Sequence, residues 1–150
     1  MMDGDTPAPL AADDRTPPAA LDAEAAVLSA CFVADAAPEL EPEHFYSDAN
    51  RLIFAAIRAT RSNGPVDAVL VANHLRASGQ IHRVGGAVYI AQIIDATPCV
   101  ANVAAHAALV REMWRRRVLI AAFQQCEAEL YHGQVDAAGA WRRMKECCDA

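Results

Sequence analysis

The sequence predicts an all-α protein, a small globular helical subdomain followed by a long helical hairpin. Alanine is abundant and β-branched residues stand mostly singly, which favours helix. Apolar residues recur at three- and four-residue intervals along much of the chain. Nothing between about Asn102 and Tyr131 breaks a helix, so roughly 30 residues form one rod about 45 Å long.

Residues 1–18 are mostly Asp, Ala, Thr and Pro without apolar periodicity, and predict a flexible tail. A first helix starts near Leu21, with Leu21, Ala25, Leu28 and Phe32 at helical spacing. Asp22 and Glu24 suit its positive N-terminus. Pro38 and Pro42 keep any helix in 34–44 short. Ser47 or Asp48 caps the next helix, which turns Leu52, Ile53, Ala56 and Ile57 inward and Arg51, Arg58 and Arg61 outward. Phe45, Tyr46 and Phe54 read as core with them. Asn63-Gly64-Pro65 stops that helix. Asp67 starts another, with Val71, His74 and Leu75 on one face and Gly79 at its end.

Residues 81–86 read as a turn, where Gly85-Gly86 suits positive φ or close packing. Ala87 to Ile94 is a short apolar helix carrying Tyr89, broken by Thr97-Pro98. In the long helix, Val103, Ala107, Val110, Trp114, Val118 and Ala121 form a stripe that Leu109, Met113, Ile120 and Phe123 widen. His132-Gly133 turns the chain, and a last helix with Val135, Trp141 and Met144 folds back. The head, 19–100, is too small to cover the hairpin, 101–148. Exposed apolar stripes are otherwise a liability, so a partner is implied, most simply a second copy.

Composition narrows the function. The net charge is -6, but residues 1–50 hold eleven Asp/Glu against one Arg, while 51–150 hold eight against twelve Lys/Arg. The acidic half argues against direct nucleic-acid binding. Arg111, Arg115, Arg116 and Arg117 are the one basic concentration; they read as a solvated helix face, or alternatively as a contact for phosphate or an acidic partner. No apolar run reaches the ~20 residues of a membrane span, and no signal peptide is evident, so a cytoplasmic location is expected. The five cysteines form no C-x-x-C; Cys31 and Cys126 read as small core groups, and Cys147-Cys148, a pair open to oxidation or a soft metal, has no third ligand nearby in sequence. The five histidines are scattered, without metal-ligand spacing. The only lysine, Lys145, follows no Gly-rich phosphate loop. No catalytic residue, cofactor site or metal site is expected, and the function lies in contacts with other proteins.

Several clusters, in one order, resemble the N-terminal domain of DnaB-type replicative helicases. Pro17-Pro18 with 21–28 (LDAEAAVL) is similar to that family's P-P-x-x-x-E-A-E-x-x-V-L-G. Residues 42–46 (PEHFY) and 50–54 (NRLIF) are similar to D-F-Y…H-R-x-I-F. Residues 64–67 (GPVD) resemble G-x-P-[IV]-D, one residue shorter, and Leu75 with 79–81 (GQI) and 84–90 (VGGAVYI) resembles L-x-x-x-G-x-L…G-G-x-x-Y-L. Thr97-Pro98, 101–103 (ANV) and 110–112 (VRE) are similar to T-P-[ST]-A-A-N…I-V-R-E. Each cluster alone is weak; the shared order makes the match.

The resemblance spans about 17–130 and implies a helicase N-terminal-type domain over 19–150. It implies an oligomerisation module whose hairpins pair two subunits. Such pairs close into a collar, often a trimer of dimers, that docks the helicase-binding domain of primase or a helicase loader. Departures from the family pattern are the shortened stretch before Phe45, His106 in place of an aromatic, and the arginine run. The motor domain is not expected within this chain. A second reading is a free-standing regulator or inhibitor that associates with a full-length helicase. The resemblance makes Asp22, Tyr89, Ile120 and Cys126 candidates for partner binding, against core or rim packing for Tyr89, Ile120 and Cys126. Val103, Val110, Trp114, Val118 and Trp141 are the candidates for self-association.

Overall fold

The computed structural model describes residues 16–96 and 100–149. Most of the expected tail, the breaker Thr97-Pro98 and Cys99 lie outside the described residues. Six α-helices follow in order: α1 (Leu21–Val33), α2 (Asp48–Arg61), α3 (Ala68–Ala77), α4 (Gly86–Ala96), α5 (Val103–Tyr131) and α6 (Ala137–Asp149). Short 3₁₀ turns at Pro42–His44 and Val100–Asn102 complete the regular structure, and no strand occurs among the described residues. The fold is all-α, as the sequence predicts.

Local chemistry sets the boundaries. The Ser47 hydroxyl accepts from the Asn50 amide at 3.3 Å and caps α2. Asp67 accepts from the amides of Val69 and Leu70 and caps α3. Gly85 and Gly86 take φ of +84° and +75°, which a side chain rarely adopts. A Cβ on Gly85 would also lie 3.2 Å from that of Tyr89. The first turn of α6 is capped by Asp136, whose Oδ1 accepts from the Gly139 amide at 2.8 Å.

α1 is the axle of the head. It is buried from Ala23 through Cys31 except for the half-buried Ala25, and it packs against α2, α4 and α5. A helix enclosed on nearly all sides needs no single apolar face. The stripe expected from Leu21 to Phe32 is therefore only part of what is buried: Leu28 is sealed, Ala25 and Phe32 are half-buried and Leu21 is exposed, while Val27 and Cys31, outside the stripe, are sealed too. Around them Phe45, Ile53, Phe54, Ile57, Val71, Leu75, Val84, Ile90 and Ile93 close the core, and Phe45 and Phe54 stack with ring centroids 4.8 Å apart. Two expected inward residues face out. His74 is exposed at the end of α3, and Tyr46 is 40% exposed, its ring lying under an arginine instead of in the core.

α5 has a divided life. Its first turns lie on the head, with Ala107 and Val110 inside the core. Its second half pairs with α6 as a two-helix arm, held by Cys126 against Ala140 and by the Arg143–Glu129 ion pair at 2.6 Å.

Candidate interaction surface

The stripe that the spacing singles out on α5 is spent largely within the protomer. Val110 is 1% exposed and packs into the head, so it belongs to the core and offers nothing to a second chain. Val103 is half-buried. Trp114 is half-buried too, its ring 4.5 Å from that of His44, so its anchor role is filled first by the head. Val118 is exposed, but it lies two residues, about 200° of helix, from Ile120 and faces the other way.

The free apolar face comes from residues that the sequence placed at the stripe's margin. Leu109, Ile120, Phe123 and Leu130 are separated by eleven, three and seven residues, close to three, one and two turns, so they share one side of the rod. All four are exposed. Tyr131 at 84% and Trp141 at 75% extend apolar surface to the end of the arm and onto α6. Phe123, Leu130, Tyr131 and Met144 line an open groove between the two helices, with Cys126 at its floor. Cys126 itself is buried against Ala140, so packing within the arm explains it and direct partner contact does not. Ile120 remains available. Asp22 is exposed in the first turn of α1.

Tyr89 does two things at once. Its half-buried ring sits at the rim of the head, and its hydroxyl donates to Asn50 Oδ1 at 3.0 Å. Burial, and secondarily the Glu24 carboxylate, holds its phenol above the ordinary tyrosine value of 10.0. Asn50 in turn donates to Glu24 Oε2 at 2.9 Å. Glu24 is 1% exposed and also accepts from the Tyr46 amide at 2.6 Å and the Ser47 amide at 3.3 Å. The helix-end role expected of Glu24 is thus replaced by a buried hub that joins α1, the start of α2 and α4. The signal in the sequence was a carboxylate set among apolar neighbours in Ala23–Val27. The converging amides that satisfy it are visible only in the fold.

The arginine run separates by function. Arg117 donates to the carbonyls of Pro18 at 2.7 Å and His44 at 2.8 Å, with its guanidinium 5.3 Å from the centre of the Tyr46 ring. Arg111 donates to the carbonyl of Glu39. Arg116 pairs with Glu112 one turn back. Arg115 alone is exposed with no ion pair or hydrogen bond among the described contacts. Two of the four side chains therefore hold α5 to the rest of the protomer and a third is paired within α5, which leaves no concentrated cationic face.

Other chemistry is sparse. Cys31 is sealed in the core, and burial pushes its thiol up to about 11. Cys147 and Cys148 are exposed. Among the described residues no group of three or more His, Cys, Asp or Glu could hold a metal ion, and no helix is long and apolar enough to cross a membrane.

Residues 16–112 match the model of the DnaB-like helicase N terminal domain family. The replicative DNA helicase DnaB of Geobacillus stearothermophilus is 42% identical over 113 residues, which cover 71% of this chain and 25% of that protein. The DnaB of Treponema pallidum is 33% identical over 127 residues, covering 81% of this chain and 29% of the relative. The chain thus spans between a quarter and a third of these two relatives. The crystal structure of the N-terminal domain of DnaB helicase from Mycobacterium tuberculosis superposes with a TM-score of 0.79 at 30% identity, over 90% of this chain and all of that one.

Proposed function

The chain belongs to the DnaB-like helicase N terminal domain family, and we propose that it is the non-catalytic association and docking domain of a replicative DNA helicase. Its arm pairs with the arm of a second copy. Pairs assemble further into a collar, with a trimer of dimers as the closed form, and the collar docks primase or a helicase loader. One observation carries the reading: Leu109, Ile120, Phe123 and Leu130 lie exposed along one side of α5, beside Glu112, Arg116 and Glu127, and lead to Tyr131 and the groove edged by Met144. A monomer gains nothing from so long an uncovered face, whereas a second copy buries it twice, since two-fold pairing uses the same patch on both chains.

Self-association is tested by sedimentation velocity. The wild-type chain sediments as a dimer or larger, and replacing Ile120 and Phe123 by Glu yields monomer with unchanged helicity. A monomeric wild type at high micromolar concentration overturns the pairing. Docking is tested by titrating the primase helicase-binding domain, or a loader, onto labelled chain. Ile120 and the exposed edge of Tyr89 are the residues whose substitution weakens it. Capture of full-length helicase without self-association would instead support the free-standing regulator.

A further inference from the structure

One face of α5 is occupied neither by the core nor by the proposed pairing surface. Arg111, Trp114 and Arg117, three residues apart, all grip the segment 39–46: Arg111 through the Glu39 carbonyl, Trp114 through the His44 ring, Arg117 through the His44 carbonyl and the Tyr46 ring. These contacts sit at the base of the arm, just beyond Val110, the last residue of α5 in the core of the head. His44 is the centre of the grip. Its Nδ1 accepts from the Glu41 amide at 3.0 Å, closing the 3₁₀ turn Pro42–His44. An imidazole nitrogen accepts only when it carries no proton. We propose that this joint is a proton-operated latch, in which neutral His44 fixes the α5–α6 arm on the head and protonated His44 releases it.

The surroundings favour the neutral ring. Burial first, then Arg111, and more weakly Arg115, hold the imidazole below its ordinary value of 6.5, opposed by Glu41 and Glu43 on its own turn. Glu41 is already paired with Arg58 of α2. Glu24 of α1 is engaged by the amides of Tyr46 and Ser47. Glu43 is exposed and in no ion pair among the described contacts, so it answers a new charge only weakly, through solvent. Protonation sets an N–H against the Glu41 N–H, the turn opens, and the carbonyl that Arg117 holds moves with it. The closed joint binds the proton less well than the open one. The latch is thus at full strength above about pH 6.5 and weakens as pH falls from there through the lowered value of the closed state. The latch is independent of the pairing reading, because it acts within one protomer.

Two measurements on the full chain test it. Amide exchange, corrected for intrinsic rates, is compared at pH 8 and pH 5 for Glu41, His44 and Phe45. Arm orientation is read as the distance between spin labels at Ala59 and Ala128, with Cys99, Cys147 and Cys148 replaced by Ser and labelled chain diluted into unlabelled chain. The wild type loses about tenfold protection at the three amides on acidification, the size expected for one lost hydrogen bond, and its distance distribution broadens. His44→Gln keeps an acceptor for the Glu41 amide but gains no proton, so it stays latched at both pH values. Arg117→Met is loosened at both. Equal protection at the two pH values in the wild type overturns the proposal. So does a loss that His44→Gln shares, or a joint that opens without moving the arm.

Discussion

Replacing Glu24 by Gln removes one charge and almost no volume, so it isolates the buried hub. Glu24 Oε1 accepts from the Tyr46 amide, and Oε2 from the Ser47 amide and the Asn50 side chain, at 1% exposure. A Gln side chain has one acceptor oxygen. Its NH₂ must then face at least one buried N–H, and a buried donor left unpaired costs about 1–3 kcal/mol. The remaining bonds lose their charge assistance, worth about 1 kcal/mol more. The expected loss is about 3 kcal/mol, or a fall in Tm of roughly 9 °C for a chain of this size. If Glu24 served only the dipole of α1, the loss would stay below about 1 kcal/mol. Asp22→Asn provides the internal comparison, because Asp22 lies in the same first turn but is exposed. Urea unfolding at a fixed chain concentration, followed by far-UV circular dichroism, separates the two accounts. Equal, small losses for both variants would refute the hub.

Three further outcomes follow from the same geometry. Tyr89→Phe loses the bond to Asn50 Oδ1 and lowers stability by about 1 kcal/mol in the same urea assay; no change would place the hydroxyl outside the network. Val110→Ala empties part of the core and costs about 2 kcal/mol while leaving the sedimentation profile unchanged, whereas Trp141→Ala leaves unfolding within about 0.5 kcal/mol of wild type. Cys31 resists alkylation: with its thiol at about 11, only about one in a thousand is thiolate at pH 8, and peptide mapping should show Cys147 and Cys148 modified long before it.

What the sequence disclosed was local. Ser47, Asp67 and the Gly85-Gly86 pair act on backbone within three or four residues, and their roles can be read without knowing the fold. The span of α5 was equally legible, because only the lack of a breaker was needed. Burial was harder wherever two partners competed for one helix. α1 is Ala-rich and enclosed almost all round, so it carries no amphipathic signal, and the Leu21–Phe32 spacing caught Leu28 but missed Val27 and Cys31. His74 met the spacing for a core face but sits exposed in the last turn of α3. Glu24 was read as a helix-end charge because its partners lie 22 to 26 residues away, in a turn whose position depends on the whole head.

The arginine run shows why composition misleads about surfaces. Four cations within seven residues suggest an anion site, yet a guanidinium is also the side chain best able to bridge separated carbonyls across a joint. Here Arg111 and Arg117 do that, and the acidic first third of the chain supplies the loop they hold. The same allocation explains the apolar residues. α5 must satisfy the head along Ala107–Arg117, α6 along Cys126 and Glu129, and it has one side left. That side carries Leu109, Ile120, Phe123 and Leu130 beside the Glu112–Arg116 pair and Glu127, and the described residues of the protomer leave all four apolar side chains exposed. A rod with two faces committed inward and a third that keeps large apolar side chains exposed among a few charges fits the pairing proposed above. The latch at its base determines where that third face points.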